Sequence, residues 1–279
     1  MIKESKETAW CPGCGNFPLR TALVDALNEL ELDRNEVVMF SGIGQAAKMP
    51  HYVNIHGFNG LHGRALPPAL GAKVANHEMK IIVESGDGCS YGEGGNHLIH
   101  NIRRNPDIVH LVHNNQIYGL TKGQASPTTG EDITTTVQPN GVNADPLNPL
   151  RLALGMGASF VARAFVGEKE HLKKIIKKAI QHRGYALVDI LQPCVSFNKV
   201  NTYQWYSKRV YKLEDNDNKD LNQAFEMASK WGDRIPLGIF YQQEKATFRD
   251  RLPVLNDDFP LVKRELKPED YKSLVNEFK

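Results

Sequence analysis

The chain reads as an α/β protein: a mostly parallel sheet with helices on both faces, followed by a C-terminal arm. Three observations carry this. Short apolar runs alternate with segments of helical period through most of the first 191 residues. Several runs end in glycine or polar residues, as parallel strands do where their carboxyl ends face a ligand. The chain of 279 residues, 41% hydrophobic and 24% charged, can bury one large core or two small ones.

The elements follow in order. Cys11-Pro-Gly-Cys14-Gly15 precedes any regular structure. Leu19, Leu23, Ala26, Leu27 and Leu30 recur at helical steps, and residues 33–35 end that helix. Val37 to Phe40 is a buried strand entering the glycine turn Ser41-Gly-Ile-Gly44. Residues 50–63, with His51, His56 and His62 among glycines, read as loop, and 64–76 as helix. A strand at 79–84, a helix over 94–104 and a strand at 108–113 come next. Residues 119–141 are rich in Thr, Gly, Ser and Pro, and so long a loop in a compact enzyme is usually functional. A short helix near 148–155, a strand at 159–165, a helix at 168–182 and a strand at 185–191 complete a domain of residues 1–200. Residues 201–279 are more polar, with one helix at 220–231 and an apolar run at 235–240. They read as an extension packing on the same domain or on a neighbouring subunit.

Composition sets limits. A net charge of +2 gives no field favouring nucleic acid or a membrane surface. No run of about 18 apolar residues is present to span a bilayer. The first residues lack the apolar core of a secretion signal, so the expected location is cytoplasmic. Four cysteines, two of them in Cys11-Pro-Gly-Cys14, suit a reduced compartment and a metal or redox site.

Two constellations carry chemistry. Gly86-Asp87-Gly88 follows one apolar run, and Asn114-Asn115 follows the next. Glycines let the backbone approach a diphosphate, and Asp87, Asn115 and a backbone carbonyl at Ile117 offer oxygens to Mg²⁺. Glycine turns with polar helix caps are the plain alternative. Cys11 and Cys14 can chelate one centre from a tight turn at Gly13, and Cys194 and Cys89 stand at strand ends of the same sheet. Four thiolates suit an iron–sulfur cluster or Zn²⁺; a single cysteine is more often a small buried residue. Trp10-Cys-Pro-Gly-Cys14 also looks like a thioredoxin motif with its inner pair swapped, but no strand precedes it. Among the histidines, only His62 is nominated for a cofactor contact. Lys173, Lys174, Lys177 and Lys178 form a basic helix face, ordinarily just solvated.

With these pieces assembled, the sequence resembles the β subunits of 2-oxoacid:ferredoxin oxidoreductases, the pyruvate and 2-oxoglutarate synthases. The likeness lies in Trp10-Cys-Pro-Gly-Cys-Gly-Asn16, Ser41-Gly-Ile-Gly44, Gly57-Phe-Asn-Gly-Leu-His-Gly-Arg64 and Gly94-Gly-Asn-His97. It continues through residues 114–124, Leu191-Gln-Pro-Cys194 and residues 232–240. The resemblance implies CoA-dependent oxidative decarboxylation of a 2-oxoacid on thiamine diphosphate, with electrons leaving through a [4Fe–4S] cluster to ferredoxin. It implies Mg²⁺ at Asp87, Asn115 and Ile117, cofactor contacts at Gly86, Gly88, Cys89, His62, Gly119 and Leu120, and cluster ligands at Cys11, Cys14 and Cys194. The family's fourth cluster cysteine follows Ser-Gly-Ile-Gly, where this chain has Gln45. Cys89 is then a candidate replacement; a non-cysteine ligand or a three-iron cluster are the others. The Glu that activates the cofactor belongs to the α subunit in this family, so no catalytic acid is assigned here and the chain alone is expected to be inactive. Lys48 and Lys122 are candidates to reach a distal carboxylate, which slightly favours 2-oxoglutarate over pyruvate. The competing readings are a non-oxidative thiamine-dependent decarboxylase or synthase subunit, a zinc or dithiol redox protein, and a non-catalytic assembly subunit.

Overall fold

The structure, a computed structural model, describes residues 1–279 apart from positions 6, 132, 215, 257, 266 and 279. Its first half holds α1 (Asn16–Glu29), β1 (Val37–Ser41), β2 (His56–Asn59), α2 (Leu66–Ala75), β3 (Lys80–Gly86), α3 (Gly95–Arg104) and β4 (Ile108–Asn114). After the long loop come α4 (Pro149–Gly155), β5 (Phe160–Phe165), α5 (Lys169–Gln181) and β6 (Tyr185–Leu191). The remainder supplies α6 (Tyr203–Ser207), β7 (Val210–Lys212), α7 (Leu221–Ser229), β8 (Ile235–Gln242) and α8 (Pro268–Glu277). One eight-stranded sheet runs β2-β1-β3-β4-β6-β5-β8-β7. Every pairing in it is parallel except β5 with β8.

The central strands are apolar because both faces are covered: every residue of β4 and β6 is buried. On one face, Leu23 and Leu27 of α1 and Leu172 and Ile176 of α5 share a core with Met39 and Val188 of the sheet. On the other, Leu66 of α2, Leu98 of α3, Leu150 of α4 and Ala228 of α7 pack over Val83 and Leu187. Each such leucine or isoleucine contributes roughly 1.5–3 kcal/mol by leaving water. The chain leaves β1 through a 3₁₀ turn, Ala46–His51, whose Met49 joins the first core. It leaves β3 toward α3 in the second. Chains that diverge to opposite faces open a crevice at the carboxyl ends of their strands.

The expected helices and central strands are present, and four features go beyond them. Residues 56–59, expected as loop, form the edge strand β2; its sequence, His-Gly-Phe-Asn, is exposed at all four positions and lacks the alternation that marks a strand. Between β3 and α3 the backbone makes a π-helical turn, Gly88–Glu93, a form that concentrates at functional sites. The stretch 203–242 places β7 and β8 in the main sheet and α7 beside α4. Asp220 caps α7 by accepting from the Asn222 and Gln223 N–H groups. Finally, α8 had no counterpart in the sequence pattern. Among the described residues no helix is long and apolar enough to cross a membrane.

Candidate functional site

β3 and β4 are paired so that Gly86 lies opposite His113. Asp87 and the Asn114–Asn115 pair therefore emerge side by side. Asp87 is 1% exposed. Its Oδ2 accepts from Ser126 Oγ at 2.5 Å and from Thr128 Oγ1 at 2.7 Å. Burial pushes its carboxyl up to about 6, against those two bonds and one from the Gly88 N–H. The carboxylate is met by two hydroxyls and a backbone N–H, which satisfy it away from bulk water. Asn115 Oδ1 accepts from the Ile117 N–H at 3.0 Å. That closes a turn whose middle residue, Gln116, is left-handed (φ 58°). Asp87 and the Asn115–Ile117 turn, the residues expected to offer oxygens to Mg²⁺, thus stand at the ends of adjacent strands. Ser126 and Thr128 were not singled out in the sequence; only the Ser and Thr richness of the long loop hinted at them.

Gly88 is required by close approach. A Cβ there would lie 2.2 Å from the Tyr118 ring. Tyr118 donates to Glu93 at 3.1 Å, and Glu93 lies 3.5 Å from His62 Nε2. His62 Nδ1 is buried with no hydrogen-bond partner. His62 therefore stands at the rim of the Gly88–Glu93 turn with one ring nitrogen unsatisfied.

A second set of groups opens beside this corner. Cys11, Cys14 and Cys194 line one cleft together with Gln45, Asn115 and Gly119. Gly13, at φ 79°, lets the chain turn back so that the Cys14 N–H reaches the Cys11 carbonyl at 3.0 Å. Burial, and then the neighbouring Cys194 and Cys11, push the Cys14 thiol up to about 11. A cationic centre would reverse that and hold the sulfurs as thiolates. Among the described residues, no three His, Cys, Asp or Glu side chains are close enough to grip one ion. Cys89 does not line this cleft. Its thiol is buried against Gly42 and accepts from the Gly63 N–H at 3.2 Å, because the π-helical turn carries it under the turn after β1. Cys89, the candidate replacement for the fourth cluster cysteine, therefore lies outside the lining shared by the other three cysteines. Gln45 is in the cleft instead, and its Oε1 is buried without a partner.

Lys48 and Leu120 line a shallow cavity of about 310 Å³ with Gly42, Gly44 and Asn59. Lys122 is exposed at a loop tip in a left-handed conformation (φ 74°) and is not part of that lining. Behind the cleft runs a buried chain that the sequence did not announce. Glu84 of β3 bonds to His113 Nε2, and His113 Nδ1 lies 2.7 Å from Asn16 Oδ1 at the start of α1. Burial raises the Glu84 carboxyl, opposed by His113.

Residues 37–190 match the family model for the thiamine pyrophosphate enzyme, C-terminal TPP binding domain. Residues 194–257 match the model for the C-terminal region of the beta subunit of pyruvate ferredoxin oxidoreductase. A 2-oxoacid:ferredoxin oxidoreductase subunit beta of Saccharolobus solfataricus is 45% identical, covering 87% of this chain and 85% of the relative. A 2-oxoacid:ferredoxin oxidoreductase 1, subunit beta, of Aeropyrum pernix is 42% identical over 95% of this chain and 89% of its own. A solved 2-oxoglutarate:ferredoxin oxidoreductase from Magnetococcus marinus, with 2-oxoglutarate, coenzyme A and succinyl-CoA bound, superposes with a TM-score of 0.92. It is 35% identical, covering 99% of this chain and 94% of that one. The corner at Asp87, the thiol cleft beside it and these relatives place the chain in the family of 2-oxoacid:ferredoxin oxidoreductase β subunits.

Proposed function

We propose that this chain holds thiamine diphosphate and a [4Fe–4S] cluster for the CoA-dependent oxidative decarboxylation of a 2-oxoacid, completed by an α subunit and coupled to ferredoxin. One observation supports the reading: Asn115, the residue that follows β4 beside Asp87 and is expected to offer Mg²⁺ an oxygen, also lines the cleft of Cys11, Cys14 and Cys194. A cofactor anchored at Asp87, Asn115 and Ile117 is then next to the centre that would take its electrons.

The chain's own groups have distinct tasks. Asp87, Asn115 and the Ile117 carbonyl hold Mg²⁺, and Gly86 and Gly88 keep the diphosphate edge free of side chains. Ser126 and Thr128 fix the Asp87 carboxylate in one orientation. Gly119 lines the thiol cleft and Leu120 the cavity of Lys48, and His62 keeps a buried, unpartnered Nδ1 beside the Gly88–Glu93 turn. Thiamine diphosphate supplies the electron sink for decarboxylation. Free thiols and reduced iron–sulfur chemistry suit a cytoplasmic setting.

Lys48 supports 2-oxoglutarate as the substrate. Its cavity adjoins the residues around Gln45 and Gly119, and an ammonium there would pair with a distal carboxylate. Lys122, outside that lining, is the weaker candidate. The 2-oxoglutarate named for the Magnetococcus marinus enzyme points the same way.

The test is co-expression with the cognate α subunit under argon. The complex is assayed for thiamine diphosphate, iron, sulfide and 2-oxoacid-dependent reduction of ferredoxin. Turnover on 2-oxoglutarate and pyruvate is compared in wild type and Lys48→Met. Lost preference for 2-oxoglutarate assigns Lys48 to the distal carboxylate; unchanged selectivity removes it. Turnover in a preparation free of iron would instead establish the non-oxidative alternative.

A further inference from the structure

We propose that Gln45 is the fourth ligand of the cluster, its side-chain carboxamide oxygen binding the iron that no cysteine reaches. The inference rests on reading the cleft as a cluster site and adds a ligand of a different chemical class. Three observations support it. The glycine turn after β1 delivers Gln45 into the cleft that holds Cys11, Cys14 and Cys194. Gln45 Oε1 is buried and has no hydrogen-bond partner, an unfavourable condition unless something in the cleft engages it. The Gln45 backbone is pinned to the thiol loop: its carbonyl accepts from Trp10 Nε1 at 2.8 Å, one residue before Cys11. The fourth free thiol, Cys89, is committed elsewhere, to the Gly63 N–H.

The chemistry follows from the exchange of donors. A carboxamide oxygen is neutral and harder than a thiolate, so it binds iron more weakly. The iron it holds is the most easily lost of the cluster. With three thiolates rather than four, the cluster carries one negative charge fewer and is easier to reduce. Gln45 thereby tunes both the lability and the potential of the centre without touching the cofactor.

The experiment uses the anaerobic complex with the α subunit, in wild type, Gln45→Cys and Gln45→Leu. Iron and sulfide per chain, paramagnetic resonance spectra and a redox titration are recorded, with thiamine diphosphate content as the check on folding. Wild type is expected to hold about four irons and to release one on mild oxidation, giving a three-iron signal. Gln45→Leu should show the three-iron form already as isolated. Gln45→Cys should resist iron loss and reduce at a lower potential. A wild-type cluster whose iron count, spectrum and potential are unmoved by both substitutions overturns the role of Gln45 and leaves the cluster reading standing. A wild-type complex with thiamine diphosphate but neither iron nor sulfide overturns both.

Discussion

At the scale of single residues, Asp87 and His110 show how burial is used in two ways. Asp87 is buried at the end of β3, where the proposed function puts the Mg²⁺ of the cofactor. Asp87→Asn should weaken Mg²⁺-dependent thiamine diphosphate binding by more than about tenfold, roughly 1.4 kcal/mol, as measured by calorimetric titration of the complex. Ser126→Ala should weaken it less, since it frees the carboxylate without removing it. His110 is buried for structure. It lies 2.6 Å from Tyr185 Oη and 3.1 Å from Ser90 Oγ, and burial pulls its pKa down to about 3. Above the ordinary histidine value near 6.5 the ring is neutral folded or unfolded, and its titration contributes nothing. Below it the unfolded chain takes up a proton that the folded one refuses. Stability is therefore lost as pH falls from about 6.5 toward 3, by about 1.4 kcal/mol per pH unit from this residue. His110→Gln should remove about one proton from the uptake on unfolding between pH 4 and 6, measured by denaturant titration across that range. Asp87, Asn115, Cys11, Cys14 and Cys194 were legible in the sequence because short local motifs carry them. Ser126 and Thr128 were not: they reach Asp87 across 39 and 41 residues of chain. The burial of Cys89 away from the cleft was hidden as well, since it depends on a π-helical turn that no periodicity announces.

At the scale of elements, hydrophobic period sufficed wherever burial was complete. The fully buried β4 and β6, and α5 with its apolar face on α1, follow their sequence patterns. Legibility failed at the edges. β2 is held by backbone bonds to β1 and buries no side chain, so nothing in His-Gly-Phe-Asn betrays it. The Gly88–Glu93 turn makes a sharper test. Gly88→Ala would drive a methyl into the Tyr118 ring, and should lower both the melting temperature and cofactor affinity. Gly71→Ala serves as control: it sits inside α2 with nothing within 4 Å of a Cβ, and should stabilise by about 0.5–1 kcal/mol. Equal effects on melting at the two positions would deny the turn its packing role.

At the scale of the whole molecule, the exposed edge of the site asks for a partner. β2 is exposed along its length; Phe58 within it and Leu61 just beyond it are 48% and 73% exposed. Phe197, which lines the thiol cleft, and Val200 a few residues on are exposed as well. Apolar side chains around a site's mouth mark a contact surface, and the α partner that membership of a β-subunit family implies fits it. Leu61→Glu should abolish co-purification with the α subunit while leaving the isolated chain's stability within about 0.5 kcal/mol of wild type. On the proposed function, the Asp87 corner holds the cofactor and the adjoining thiol cleft holds the centre that takes its electrons. The measurement that addresses it most directly is addition of 2-oxoglutarate and coenzyme A to the anaerobic complex, with the iron–sulfur signal followed by paramagnetic resonance. The expected result is a substrate-dependent signal that disappears in Cys194→Ser while thiamine diphosphate content stays at the wild-type level. Undiminished ferredoxin reduction in Cys194→Ser, with no iron bound, would contradict it.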